Sequence, residues 1–286
     1  MKQTLFLLLQ QLLPQHALSR LVGRLADCRV PWLKNLLIRR FIAAYGVNMQ
    51  EAQAEAPEAY TNFNAFFTRP LKDGLRPLPA NSQAIVCPAD GAISAIGRID
   101  DDAIFQAKGK QFSLQALLGG DESWAQRFRN GHFATVYLSP KDYHRVHMPF
   151  GGLLRECVYV PGDLYSVNQT TAENIDGLFA RNERAVCLFD SDAGPMAVVL
   201  VGAMIVAGIE TVFAGHVAPA GRELRRTHYV DIAHPVRLER GAELGRFKLG
   251  STAIVLFGPD AIAWDAGLQT GSPTRMGQAM GVTTPR

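Results

Sequence analysis

Leu249-Gly250-Ser251-Thr252-Ala253-Ile254-Val255-Leu256-Phe257, closed by Gly258-Pro259, is the stretch on which the reading of the fold turns. Its apolar half is short, branched and bounded by glycine and proline, which predicts a buried strand rather than a helix. The same texture recurs in Ala84-Ile85-Val86-Cys87 and in Phe133-Ala134-Thr135-Val136-Tyr137-Leu138. Met196 to Ile209 is almost wholly apolar with internal glycines. It is too short to span a bilayer and predicts one or two further buried strands. Pro88, Gly91, Pro140, Pro149, Gly151-Gly152 and Pro161-Gly162 punctuate these runs. Long helical patterns are scarce after residue 130. The expected fold class is therefore α+β, with a β-rich sandwich or barrel-like core and helices near the amino end.

The amino-terminal arm has a different character. The chain of 286 residues carries a net charge of +3, but residues 1–49 hold seven basic groups against the single acid Asp27. The arm is thus +6 and the remainder −3, which points to an anionic partner. Leu5 to Leu9 resembles a signal core, but Gln10-Gln11 and Pro14 interrupt it and no small-x-small cleavage site follows. Leu18, Leu21, Val22 and Leu25 recur at helical spacing beside Arg20 and Arg24. Pro31 restarts the chain, and Trp32, Leu33, Leu36, Leu37, Phe41 and Tyr45 form a second stripe, flanked by Lys34, Arg39 and Arg40 and ended at Gly46. Packing on the protein's own core is the commoner fate of such helices. The charge asymmetry and the apolar content favour a membrane interface over nucleic acid. The four cysteines are scattered without C-x-x-C spacing and read as buried free thiols.

Four turn-rich segments carry reactive side chains: Pro88 to Gly91, Tyr143-His144-Arg145-Val146-His147, Pro161 to Asn168, and Leu249 to Thr252. An H-x-x-H pair binds metal only within a larger ligand set, and no cysteine or carboxylate sits at a fitting offset. In extended chain, His144 and His147 face opposite sides and would do different jobs. The other histidines read as structural, and Arg222, Arg225 and Arg226 as a solvated charged face. Asp90, His147 and Ser251 contain the ingredients of a triad, but such a set occurs in most chains of this size. Glycine before Ser251 lets the backbone bend the preceding carbonyl toward the hydroxyl. As residues alone, Gly-Ser-Thr before a strand is a turn. A serine hydrolase, a non-enzymatic membrane-associated binding protein and an H-x-x-H metalloenzyme stay open here, although no G-x-S-x-G elbow is present.

Taken in order, the motifs narrow this. Phe66-Phe67-Thr68-Arg69-Pro70-Leu71-Lys72, Pro88-Ala89-Asp90-Gly91, Tyr143 to Pro149, Pro161 to Asn168, Phe179 to Arg184 and Leu249-Gly250-Ser251-Thr252 resemble the bacterial, membrane-associated phosphatidylserine decarboxylases over nearly the whole chain. The resemblance implies a helical membrane-association arm, 1–49, and a catalytic domain, 50–286, that cuts itself between Gly250 and Ser251. Asp90 would orient and charge-balance His147, and His147 would deprotonate Ser251. The Ser251 oxygen would attack the Gly250 carbonyl to give an ester. β-Elimination would then release a β chain (1–250) and an α chain (251–286) whose dehydroalanine terminus becomes a pyruvoyl group with loss of ammonia. That covalent pyruvoyl is the implied cofactor, with no metal. The substrate amine would join it as a Schiff base, and the conjugated system would take up the electrons left by CO₂. His144 is the expected proton donor, and Tyr165, Ser166 and Asn168 the expected pocket residues. The further implied partners are phosphatidylserine, an anionic membrane surface and a second copy of the chain in a homodimer. Nucleic acid is not among them. The expected location is peripheral, on the cytoplasmic face of the inner membrane.

Overall fold

The computed structural model describes residue 10 and residues 13–204, 208–230 and 233–285. The Leu5–Leu9 run and part of the 196–209 stretch lie outside these. The quoted strand, Ser251–Phe257, is central in the largest sheet. That sheet runs Arg225–His228, Gly152–Val160, Arg184–Ser191, Gly194–Gly202, Ser251–Phe257, His132–Leu138, Gly91–Arg98, Pro273–Thr274, with Arg237–Leu238 also paired to Gly152–Val160. Its pairings are antiparallel. Ser251–Phe257 is zipped to both neighbours, with Ser251 opposite Leu138 on one side and Gly202 on the other.

Strand alternation sorts the core into two layers. Ala253, Val255 and Phe257 enter one cluster with Val146, Leu244, Phe247 and Ile209. Those four belong to a second sheet, ordered Gly215–Ala218, Gly208–Thr211, Glu243–Lys248, Arg145–His147. Ile254 and Leu256 face the other way, into a cluster with Leu114, Leu117, Trp124, Phe128, Leu178 and Phe179, which come from short helices. The core is therefore two open sheets face to face with helices on the outer side, the α+β class expected.

The chain passes from the second sheet to the first across two residues, Leu249 and Gly250. Both have left-handed backbone, φ +74° and +68°. Glycine adopts this at no steric cost. For leucine it costs about 1–2 kcal/mol. Among the described residues, chain neighbours aside, no atom lies within 4 Å of where a Gly250 Cβ would sit, so conformation and not space selects glycine here.

The arm forms two helices, Gln15–Ala26 and Pro31–Tyr45. Pro31 opens the second, and left-handed Gly46 closes it, as the punctuation predicts. The apolar stripe divides. Ile38, Leu37 and Phe41 pack with Ala26, Val47, Tyr60, Phe63, Phe66 and Phe67, and Phe41 meets Phe63, Phe66 and Phe67 edge-on at 5.1–6.0 Å. Trp32, Leu36, Leu21 and Leu25 stay exposed. The arm is thus half core and half free apolar surface, and its packed half crosses the 49/50 boundary. Lys34 does not flank the stripe in solvent: it is buried, with its ammonium on Pro57 O. Among the described residues no helix is long and apolar enough to cross a membrane.

Candidate active site

Ser251 opens the central strand and is fully buried. Alternation places it on the inter-sheet face, and its Oγ has no hydrogen-bond partner among the described residues. The Thr252 hydroxyl is likewise buried and unpartnered. An unsatisfied buried hydroxyl costs about 1–3 kcal/mol, so two in succession beside a strained corner make this a candidate functional position. Leu249 and Gly250 also form part of the wall of an apolar cavity of about 440 Å³. Val22 and Leu25 of the first arm helix, Phe41 and Tyr45 of the second, Phe67 and Met204 complete most of it.

The two histidines occupy different surroundings, as their spacing predicts. His144 is buried to 0% exposure, and among the described residues neither ring nitrogen has a partner at full hydrogen-bond geometry, although the backbone of Pro140 and Ser139 lies near the ring. Its ring stacks on Phe67, with centroids 4.0 Å apart and planes at 21°. Burial pushes its pKa down to about 3, and the nearby Arg69 charge adds to this, while the backbone at Pro140 and Ser139 pulls weakly the other way. His144 is therefore neutral at physiological pH. Leu138, opposite Ser251, leads straight into Ser139 and Pro140, and Pro140 and Phe67 both line the apolar cavity.

The Phe66-to-Arg69 motif clamps this loop. Arg69 Nη2 donates to Lys141 O at 3.1 Å and Asp142 O at 3.3 Å. Arg145 Nε donates to Thr68 O at 2.9 Å. The motif holds the segment carrying His144 from both ends while Phe67 covers the ring between them. The motif was visible in the sequence, but this use of it was not.

His147 has both nitrogens engaged. Nδ1 lies 2.8 Å from Gly241 O, and a carbonyl can only accept, so the proton is on Nδ1. In the neutral ring Nε2 then carries the lone pair and accepts from Tyr143 Oη at 3.0 Å. Burial lowers the His147 pKa, against the pull of Gly241 O and the charges of Glu243 and Asp90. The ring is thus set as a neutral base, with its tautomer fixed by the backbone of Gly241.

Asp90 makes no hydrogen bond to His147. Its carboxylate is gripped by Arg76, with Nε on Oδ1 at 3.0 Å, and by the Met276 amide at 2.8 Å. Arg76 also pairs with Glu51, and its pKa is raised by the Asp90 bond above all. Asp90 therefore acts on His147 through space, by charge, and orientation comes from Gly241 and Tyr143. Asp90, Arg76, Tyr143, Asp142 and Arg69 line a polar cavity of about 810 Å³. No sequence signal singled out Arg76, which sits in a loop 14 residues from its partner.

The expected pocket residues are engaged locally. Asn168 caps the Gln169–Asn174 helix, accepting from Thr171 N at 3.1 Å. Tyr165 is buried under Arg181, whose guanidinium lies 4.8 Å from the ring centroid and donates to the phenol oxygen. The Ser166 amide donates to Gln10 Oε1 at 2.9 Å. Buried Asn182 ties this loop to the site by donating to Tyr165 O and to Gly202 O, the residue opposite Ser251. Among the described residues no group of three or more His, Cys, Asp or Glu side chains is arranged to hold a metal ion.

Comparison with known proteins matches the sequence to one family. A family model described as phosphatidylserine decarboxylase matches residues 63–282, and one described as PSD matches residues 5–46. The chain is 61% identical over 287 aligned residues to the phosphatidylserine decarboxylase proenzyme of Pseudomonas fluorescens, covering 100% of both. It is 63% identical to that of Pseudomonas aeruginosa, covering 98% of this chain and 97% of the relative. It is 61% identical to that of Azotobacter vinelandii, over 98% and 99%. With an unpartnered Ser251 at a left-handed corner, two unlike histidines and family matches reaching from the arm to residue 282, this chain belongs to the phosphatidylserine decarboxylase family.

Proposed function

We propose that the chain is a proenzyme that cuts itself at Gly250–Ser251 and then decarboxylates phosphatidylserine to phosphatidylethanolamine. The carrying observation is the corner itself: a buried Ser251 Oγ without a partner among the described residues, preceded by two left-handed residues that wall an apolar cavity. In the first reaction His147 Nε2 is the base, with its tautomer held by Gly241 O and its cation, once formed, favoured by Asp90. Nε2 is occupied by Tyr143, so the Tyr143 hydroxyl must swing away or pass the proton on. Ser251 Oγ adds to the Gly250 carbonyl carbon, the amide nitrogen leaves that carbon, and an ester links the two residues. Loss of the Ser251 Cα proton expels the Gly250 carboxylate and leaves dehydroalanine. Tautomerisation and hydrolysis of that terminus release ammonia.

The residues fit a pyruvoyl group at 251. The position is fully buried, directly follows two residues that wall an apolar cavity and has no side-chain partner among the described residues. A ketone there supplies the electron sink for decarboxylating an α-amino acid. His144 is suited to hold or deliver one proton, since its nitrogens have no partner at full hydrogen-bond geometry among the described residues and stacking on Phe67 fixes its plane. The cavity, walled by arm helices with exposed Leu21 and Trp32 outside and Leu25 at its rim, suits a lipid substrate presented at a bilayer surface. Peripheral attachment to the cytoplasmic face of the inner membrane and a homodimer complete the proposal.

Denaturing intact-mass analysis tests it. Two chains ending at 250 and beginning at 251, the smaller hydrazine-reactive and blocked to Edman degradation, are expected. A single full-length chain in active enzyme would refute the proposal. His147→Ala is expected to abolish cutting. His144→Ala is expected to cut and then fail to decarboxylate, and full decarboxylation by that variant would remove His144 from the mechanism.

A further inference from the structure

The Gln15–Ala26 helix is a partition. At 100° per residue its sides separate cleanly. Leu21 points outward, 64% exposed, Leu25 lies at the rim of the apolar cavity, 44% exposed, and Ser19 and Ala26 point inward. One flank, with Val22 and Ala26, walls the apolar cavity that reaches Gly250. The opposite flank, with His16, Arg20 and Arg24, walls a separate cleft of about 830 Å³, closed from the body by Pro161, Gly162 and Arg222.

That cleft carries more basic than acidic groups. Arg20, Arg24 and Arg222 form no ion pair among the described residues. Arg20 and Arg24 stand at i and i+4, where like charges destabilise a helix. Two carboxyls share the lining, and both are otherwise engaged. Asp27 accepts from Asn64 at 2.7 Å. Glu183 is 5% exposed and accepts from Tyr159 Oη at 2.6 Å. Three planar guanidiniums from two elements therefore line one space, and neither carboxyl of the lining forms an ion pair with them among the described residues, an arrangement that suits phosphate. Exposed Leu21, next to Arg20 and on the outer side of the same helix, places the cleft at the depth of lipid headgroups.

We propose that this cleft is a second, non-catalytic lipid site, which takes the phosphodiester headgroup of an anionic phospholipid while the apolar cavity across the helix takes substrate. The anion-binding cleft stands independently of the decarboxylation reading, whereas the place of substrate in the apolar cavity rests on that reading. Arg222 belongs to the body, so the arm's charge alone does not make the site.

Sedimentation with phosphatidylcholine vesicles containing or lacking phosphatidylglycerol tests it on the full-length protein. Arg24→Gln/Arg222→Gln is expected to weaken binding to the phosphatidylglycerol vesicles about 30-fold, and the charge-matched Arg29→Gln/Arg237→Gln no more than about fivefold. Equal losses would mean diffuse electrostatics and overturn the site, as would no loss. Arg222→Gln alone, judged at an unchanged thermal midpoint, decides the matter if the double variant does not fold. It should lose about fivefold, and undiminished binding refutes the proposal. Competition by millimolar inorganic phosphate would make the cleft a free-anion site and overturn the lipid assignment.

Discussion

Replacing Gly250 separates conformation from bulk as the reason for glycine at the scissile position. Gly250 sits at φ +68°, yet a Cβ there would meet nothing within 4 Å among the described residues, chain neighbours aside. An L-residue therefore fits but must either pay about 1–2 kcal/mol to stay left-handed or relax to negative φ. Relaxation swings the carbonyl away from Ser251 Oγ. If cutting proceeds only from the left-handed form, its rate scales with that population. The factor for alanine is about 5–30, from 1–2 kcal/mol at 1.36 kcal/mol per decade. Asparagine is larger but tolerates left-handed backbone better than alanine does. The expected order of self-cleavage is Gly250, then Gly250→Asn, then Gly250→Ala, followed by gel densitometry of freshly synthesised proenzyme. A steric constraint predicts alanine faster than asparagine. That order, or alanine cutting at the glycine rate, would refute the conformational argument.

Phe67→Leu removes the stacking surface of His144, worth about 0.5–1.5 kcal/mol. It should slow decarboxylation about two- to tenfold while intact mass shows unchanged cutting, and Phe67→Tyr should restore the rate. Arg184 is 2% exposed and donates to four carbonyls, of Ala116, Leu117, Ala180 and Asn182, and burial pushes its pKa down to about 10. Arg184→Met should cost about 3–5 kcal/mol in urea unfolding, because the carbonyls stay buried without donors. His144 is neutral when folded and titrates near 6.5 when unfolded, so the unfolded chain binds more protons below that pH. Stability should be complete above about pH 6.5 and fall toward pH 3 by at most about 1.4 kcal/mol per unit from this group, and His144→Phe should flatten the slope. Deleting residues 1–30 should weaken binding to anionic vesicles with the body intact. Deleting 1–45 should also uncover Phe63, Phe66 and Phe67 and lower the thermal midpoint, as read by differential scanning calorimetry.

What could be read from sequence was local. Pro31 and Gly46 mark the ends of the second arm helix because their effects act on their own residues. The opposed histidines followed from alternation over three residues. Non-local facts were out of reach. The strand after Ser251 pairs with residues 132–138 and 194–202, and no local pattern records which strands meet across such separations. Asp90 was visible as an acid ending an apolar run, but its bond to Arg76 depends on how two loops fold over one another. Asn168 shows a different ambiguity. Its amide suits a ligand or a helix cap equally, and the helix that follows takes it as a cap. Leu249 was illegible for a third reason: leucine is among the residues least expected at positive φ, so the strain appears only in the backbone.

The corner also accounts for how the chain, if cut at Gly250–Ser251 as proposed, would keep its core. Leu249 and Gly250 are the sole covalent link between Glu243–Lys248 in one sheet and Ser251–Phe257 in the other. Breaking the 250–251 bond removes that link and none of the ladder. Residues 251–257 keep a registered partner at every position on both sides, and residues 279–283 stay paired with 84–86 and 262–264. Ala253, Val255 and Phe257 remain buried between the sheets. The new terminus at 251 is therefore held by the centre of the sheet, while the end at Gly250 is released from its left-handed constraint and is free to move toward the cavity. Cutting at a sheet-to-sheet corner relieves strain on one side of the bond and keeps the reactive residue rigid on the other, which a cut in an exposed loop would not do.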